Sequence, residues 1–376
     1  MNDAVSLLPP KDSVANTLIT LIAITGELPV NQATRLVESA YYLEKMITRL
    51  KKEKLIHTYY KNGLRGYRLT ATAKRRLLKE RPEQFARLFH GETIINRPKY
   101  TIPDRLRLHR MAEVMVTMSM AGITVYPWEK PALFENGQLN RDVSFVPSAY
   151  YTAGEIKEIG QEAAKVRGSR ATGVLLTYSD DFIIYNTGNV EMEWKYQSEV
   201  RMKTLLTREL EQGRMERRLP VSDLQAIVLA ADMTQMLTLT DSLKQSKHNY
   251  FVLDGTYKHF YYIPNNSDGE FLLQILCDRD LHAALDNLLT EDLAPGNLQA
   301  SVENDGYDAR GDPVLLAYTC DMPRIKRFDN ALALQEKTGT LICFDFQEET
   351  MRQICGANIS LQTIDTEALK GGIADQ

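Results

Sequence analysis

The stretch LEKMITRLKKEKLIHTYYKNGLRGYRLTATAKRRL, residues 43–77, decides how this chain is read. Its apolar residues Leu43, Met46, Ile47 and Leu50 have the spacing of one buried helix face. Ser39 stands just ahead as a cap, so the pattern predicts a helix over 40–54. The opposite face carries Tyr41, Tyr42, Lys45, Thr48, Arg49, Lys51 and Lys52. Such a helix can pack on a neighbour with its apolar back and enter a major groove with its cationic front. Leu55 to Tyr60 follows, rich in β-branched and aromatic residues. Lys61-Asn62-Gly63-Leu64-Arg65-Gly66 then leads back into Tyr67-Arg68-Leu69. Asn-Gly between two such runs is a strong hairpin signal. Lys61 and Arg65 would stand at its tip, within reach of phosphates or of a minor groove.

Upstream, Asp12 and Ser13 offer caps for a helix carrying Val14, Leu18, Leu21 and Ile22, which Gly26 ends. Gln32 to Val37 reads as a short second helix, and a further basic helix is expected over 73–79. Three helices followed by a hairpin make a winged helix-turn-helix, expected over 12–80, with double-stranded DNA as its partner. Contact is assigned to Tyr41, Tyr42, Lys45, Arg49, Lys52, Lys61 and Arg65. Base reading falls on Tyr42, Lys45 and Arg49, and phosphate contact on the others. Winged helices also serve as protein-docking modules, and that alternative stays open.

The charge distribution agrees. Residues 1–110 hold 21 Lys and Arg against 10 Asp and Glu, a balance of +11; the remainder holds 24 against 39, a balance of −15. A basic block on an acidic body is expected where one module faces phosphates and the rest does not. The four cysteines, Cys277, Cys320, Cys343 and Cys355, form no C-x-x-C pair, which argues against a zinc ribbon or a disulfide framework. A reduced, cytoplasmic setting is expected, with no signal peptide and no membrane partner.

The 376-residue length suggests two or three domains. A basic connector is expected over 81–110, an α/β domain over 111–213, and a C-terminal α/β domain over 221–369, after a charged linker at 214–220. The fold class expected is thus α/β in its later part and α+β overall. Arg105 to Ala121 reads as a helix and Val125 to Phe134 as strand-like. Gly173–Tyr178 and Phe182–Asn186 read as a hairpin, Met192–Tyr196 as a third strand, and Ser198–Glu211 as a helix. Further on, Ala226–Ala231, Tyr250–Leu253, His259–Ile263, Phe271–Cys277, Pro313–Thr319 and Thr340–Phe346 read as strands. Met233–Leu243 and Leu281–Leu289 read as helices.

Helix, three strands, helix is an order compatible with a restriction-endonuclease-like core. Glu113, Asp181, Glu193 and Lys195 could then supply carboxylates for Mg²⁺ and a lysine near the attacking water. An E-x-K triplet also arises by chance, and whether the chain is an enzyme stays open. No P-loop, dinucleotide fingerprint, nucleophile elbow or H-E-x-x-H occurs, so no cofactor and no metal is expected.

The 43–77 run, with its YRLTATAK ending at 67–74, resembles the recognition helix, wing and following helix of bacterial winged-helix proteins. Together with LHRMAEVM at 108–115 and the α/β segment behind it, residues 15–210 resemble the replication-relaxation family of Gram-positive plasmids and conjugative elements. Downstream, no Pro-Asp pair is followed by the acidic Glu-x-Asp strand of that family. The resemblance implies a DNA-binding accessory protein of a mobile genetic element, with a relaxase or replication protein as partner. A transcription regulator with a sensing domain and a metal-dependent nuclease remain the alternatives. A homodimer is open as well, although no heptad run demands one.

Overall fold

The computed structural model describes residues 8–89, 100–131, 147–156, 168–178, 180–191, 193–216, 223–240, 251, 253, 255–296 and 301–374. Among them the chain is α+β, with fourteen α-helices and three sheets. It divides into two compact units, Met1–Lys130 and Pro131–Gln376.

The first unit opens with α1 (Val14–Thr25), β1 (Leu28–Pro29) and α2 (Val30–Ala33), which runs into a 3-10 turn over Thr34–Leu36. Next come α3 (Ala40–Lys52), β2 (Ile56–Lys61), β3 (Leu64–Leu69), α4 (Ala71–Glu80), α5 (Pro82–Phe89) and α6 (Ile102–Met120). α1 is buried on nearly every side because it is packed by β3, α5 and α6. Ser13 caps it by accepting from Asn16 N, and Gly26 ends it at a φ of 78°. The sheet order is β1-β3-β2, all antiparallel.

The second unit holds two five-stranded sheets. The first, in order β4-β5-β6-β7-β8, contains β4 (Ser148–Thr152), followed by the turn α7 (Ala153–Ile156), and β5 (Gly173–Thr177). It continues through β6 (Asp181–Gly188), α8 (Tyr196–Glu216), β7 (Gln225–Ala230), α9 (Gln235–Thr240) and β8 (Phe260–Pro264). Helices α10 (Ser267–Cys277) and α11 (Arg279–Thr290) follow. The second sheet contains β9 (Ala294–Pro295), β10 (Gly306–Tyr307), β11 (Pro313–Leu316), α12 (Met322–Gln335), β12 (Gly339–Phe344), α13 (Glu348–Ile354) and β13 (Ile359–Ile364), and α14 (Thr366–Ala374) closes the unit. In both sheets the first three strands are antiparallel and the last three run parallel. One apolar core runs through residues of both, including Tyr151, Val228, Phe260, Leu315, Phe328 and Leu341.

Several expectations are corrected here. The expected boundary between residues 110 and 111 falls inside α6, whose buried residues run from Arg105 to Met118. The expected break at 214–220 is not a domain boundary, because β6 and β7 on either side of it pair in parallel, Ile184 with Ile227. Phe271–Cys277 is helical, not extended: Asn266 caps α10 by accepting from Asp268 N and Gly269 N, and its apolar residues are buried around the helix. Asp181 opens β6 and pairs with Leu176 rather than sitting in the turn. The third strand of the meander is not at 192–196, whose described residues hold only a single bridge at Glu193; residues 125–131 form no strand, and residue 192 lies outside the described residues.

Candidate nucleic-acid interface

The amphipathic sequence of α3 becomes a two-faced helix. Ser39 accepts from Tyr42 N at 3.3 Å, and Leu43, Met46, Ile47 and Leu50 are buried. Tyr41 and Tyr42 are 66% and 50% exposed. Lys45, Arg49 and Lys52 are exposed beside them. Lys45 Nζ stands 4.2 Å from the Tyr41 ring centroid, so cation and ring form one patch. Arg49 Nε lies 3.6 Å from Glu53 Oε1; an exposed pair at that distance holds the arginine weakly and leaves it available.

The hairpin turns on Asn62 (φ 51°) and Gly63 (φ 80°), the two positive angles of a type I′ turn. Lys61 pairs with Leu64 and Tyr60 with Arg65, and Lys61, Arg65 and Tyr60 are all exposed at the tip. All seven residues expected at a nucleic-acid surface are therefore on the outside of the first unit, on α3 and the hairpin.

Beneath the hairpin lies a cluster that the sequence reading missed. Glu27, fully buried, accepts from Arg68 Nε at 2.9 Å and Nη2 at 2.6 Å, and from Arg105 Nε at 3.1 Å and Nη2. His109 Nε2 lies 2.8 Å from Glu27 Oε1. Burial alone would raise the Glu27 carboxyl; hydrogen bonds from His109, Arg105 and Arg68 outweigh it and hold the pKa at about 2. Gly66 makes room for this approach, since a Cβ there would lie 2.6 Å from Glu27 Cγ. Its partners sit 41 and 78 residues along the chain from Glu27, so local pattern could not reveal them. The one trace is a lone carboxylate within the apolar run LIAITGELPV, residues 21–30.

The residues considered for hydrolysis are placed as follows. Glu113 lies on α6 in the first unit. In the second unit Asp181 is buried at the start of β6, Glu193 is exposed and ion-paired with Arg170, and Lys195 is exposed. Among the described residues no group of three or more His, Cys, Asp or Glu could hold a metal ion. The buried carboxylate nearest that triplet in sequence is Glu199, which accepts from Ser169 Oγ and Arg170 N, each at 2.7 Å, and from Tyr185 Oη at 3.2 Å. Burial raises its pKa against those bonds, and they tie the 168–172 segment to α8. A recess lined by Trp194, Phe251, Leu253, Tyr257 and Phe260 encloses only about 10 Å³. That is far below the ~300–1,000 Å³ of small-molecule sites. No helix among the described residues is long and apolar enough to cross a membrane.

Compared with known proteins, the chain matches no family model, no curated protein and no solved structure.

Proposed function

We propose that the first unit is a winged helix-turn-helix that binds duplex DNA, with α3 as the recognition helix and the β2–β3 hairpin as the wing. One observation carries the reading: α3 buries Leu43, Met46, Ile47 and Leu50 while leaving Tyr42, Lys45, Arg49 and Lys52 outside, next in sequence to a hairpin tipped by Lys61 and Arg65. The order α1-β1-α2-α3-β2-β3 with sheet order β1-β3-β2 supports it, as does the positive balance of residues 1–110. The resemblance of residues 15–210 to the replication-relaxation family extends the proposal: an accessory protein of a plasmid or conjugative element that holds DNA and recruits a relaxase or replication protein. The meander β4-β5-β6 followed by α8 and a parallel β7 supports a restriction-endonuclease-like fold for the second unit, proposed as a scaffold and not as a nuclease.

The test is duplex binding by the full chain across several salt concentrations, beside the double reversal Lys45→Glu with Arg49→Glu. Binding that weakens steeply with salt and is lost in the folded double variant supports the reading. A folded native chain that binds no duplex at low salt refutes it.

A further inference from the structure

We propose that Arg105 is the positioning residue of the hairpin: anchored on Glu27, its guanidinium holds both ends of the Asn62-Gly63 turn so that Lys61 and Arg65 meet backbone phosphates. The proposal rests on the DNA-binding reading. It starts from how little else among the described residues supports the tip. Among them β1 reaches β3 only at Gly66 and Tyr67, and β2 pairs only with β3, so residues 61–65 extend past β1 as a two-stranded ribbon. Such a ribbon is marginal alone.

Arg105 enters from the first turn of α6. Its Nη1 donates to the Lys61 carbonyl at 3.0 Å, and its Nη2 to the Leu64 carbonyl at 3.1 Å and the Tyr59 carbonyl at 3.4 Å. Its Nε and Nη2 also donate to Glu27, and its guanidinium carbon is 4.6 Å from the Tyr59 ring centroid. One rigid fork thus spans the residues before and after the turn and a buried anion; an ammonium, a point charge on a flexible stem, does not reproduce that span. Arg105 is 1% exposed, so it acts through the tip rather than by touching nucleic acid.

The experiment uses the full chain with Arg105→Lys and has two readouts. In the free protein, amide hydrogen exchange over residues 59–66 should rise about tenfold while α1 stays unchanged. In binding, Arg65→Ala should lower the slope of log affinity against log salt by about 1 in the native background. In the Arg105→Lys background it should lower it by nothing, because a displaced tip no longer reaches phosphate. A merely structural role would leave the Arg65 contribution intact in any folded variant. Unchanged exchange at the tip, or an undiminished Arg65 contribution, overturns the proposal. If the native chain binds no duplex, the DNA reading falls and takes this role with it; a loosened tip would then mark Arg105 as a brace without a nucleic-acid task. Should Arg105→Lys fail to fold, Arg105→Gln, which leaves Glu27 its Arg68 and His109 partners, carries the same readouts.

Discussion

Acid should remove a definite share of the first unit's stability, and Glu27 is the reason. Its pKa falls from the ordinary 4.5 to about 2, through bonds from His109, Arg105 and Arg68 that outweigh burial. A carboxylate with a depressed folded pKa stabilises the fold fully above its unfolded pKa and loses that contribution as pH falls through the folded value. The full shift corresponds to about 3 kcal/mol, of which about 2 kcal/mol is gone by pH 3. Glu27→Gln has no charge to lose, so the gap between native and variant should shrink by about 2 kcal/mol between pH 5 and pH 3. At neutral pH the variant should be about 3–5 kcal/mol less stable, since two guanidinium groups stay buried without their anion. The chain's two tryptophans allow the measurement: Trp128 lies in the first unit against Tyr126 and Phe85, and Trp194 in the second. Urea unfolding is followed at Trp128 in a Trp194→Phe background, and repeated with His109→Gln to remove the imidazole that contacts Glu27. Other carboxylates shift both chains alike, so a gap that stays constant from pH 5 to pH 3 refutes the assignment.

Leu50→Ala, a buried truncation on α3, should cost about 2–5 kcal/mol at the Trp128 signal while leaving the exposed cations in place. Gly269→Ala should cost the second unit about 1–3 kcal/mol, because a Cβ would overlap the Pro264 carbonyl oxygen and lie 2.9 Å from Ile263 Cγ2. That loss should show at Trp194 and not at Trp128. Burial pushes the Cys277, Cys343 and Cys355 thiols up to about 12 and Cys320 well above its ordinary value. A thiol reagent at neutral pH should therefore modify the native chain slowly, and all four sites together once urea opens the second unit.

What was legible in the sequence was local. The stripe of Leu43, Met46, Ile47 and Leu50 and the Asn62-Gly63 turn each encode their geometry within a few residues, and both formed as read. The Phe271–Cys277 run failed because so short an apolar run, broken only by the exposed Gln274, does not separate helix from strand by period; the overlooked sign was Asn266, whose side chain starts α10. Glu27 failed for a different reason. Its partners Arg68 and Arg105 each look like ordinary basic residues until the sheet and α6 converge on them.

The second unit contains its own control on the nuclease reading. Its two sheets follow one plan, β4-β5-β6-α8-β7-α9-β8-α10 and β9-β10-β11-α12-β12-α13-β13-α14, with the same sequence of antiparallel and parallel pairs. Corresponding helices even meet: α9 packs on α13, and Lys370 of α14 lies 3.3 Å from Asp268 of α10. Both meanders carry carboxylates at the same corner, Asp180 before β6 and Asp181 at its first position, Asp308 and Asp312 before β11. In the second, Asp308 Oδ1 accepts from Arg310 N and Asp312 N, each at 2.9 Å, so it closes its own loop. In the first, Asp180 Oδ1 accepts from Gln225 Nε2 at 2.9 Å and joins the turn to β7. Carboxylates at this corner thus have structural uses in both halves, and an acidic residue before β6 is by itself no sign of hydrolysis. In the first unit the charges are divided differently: Arg68 and Arg105 are buried on Glu27 beneath the hairpin, and Lys61 and Arg65 stand exposed at its tip.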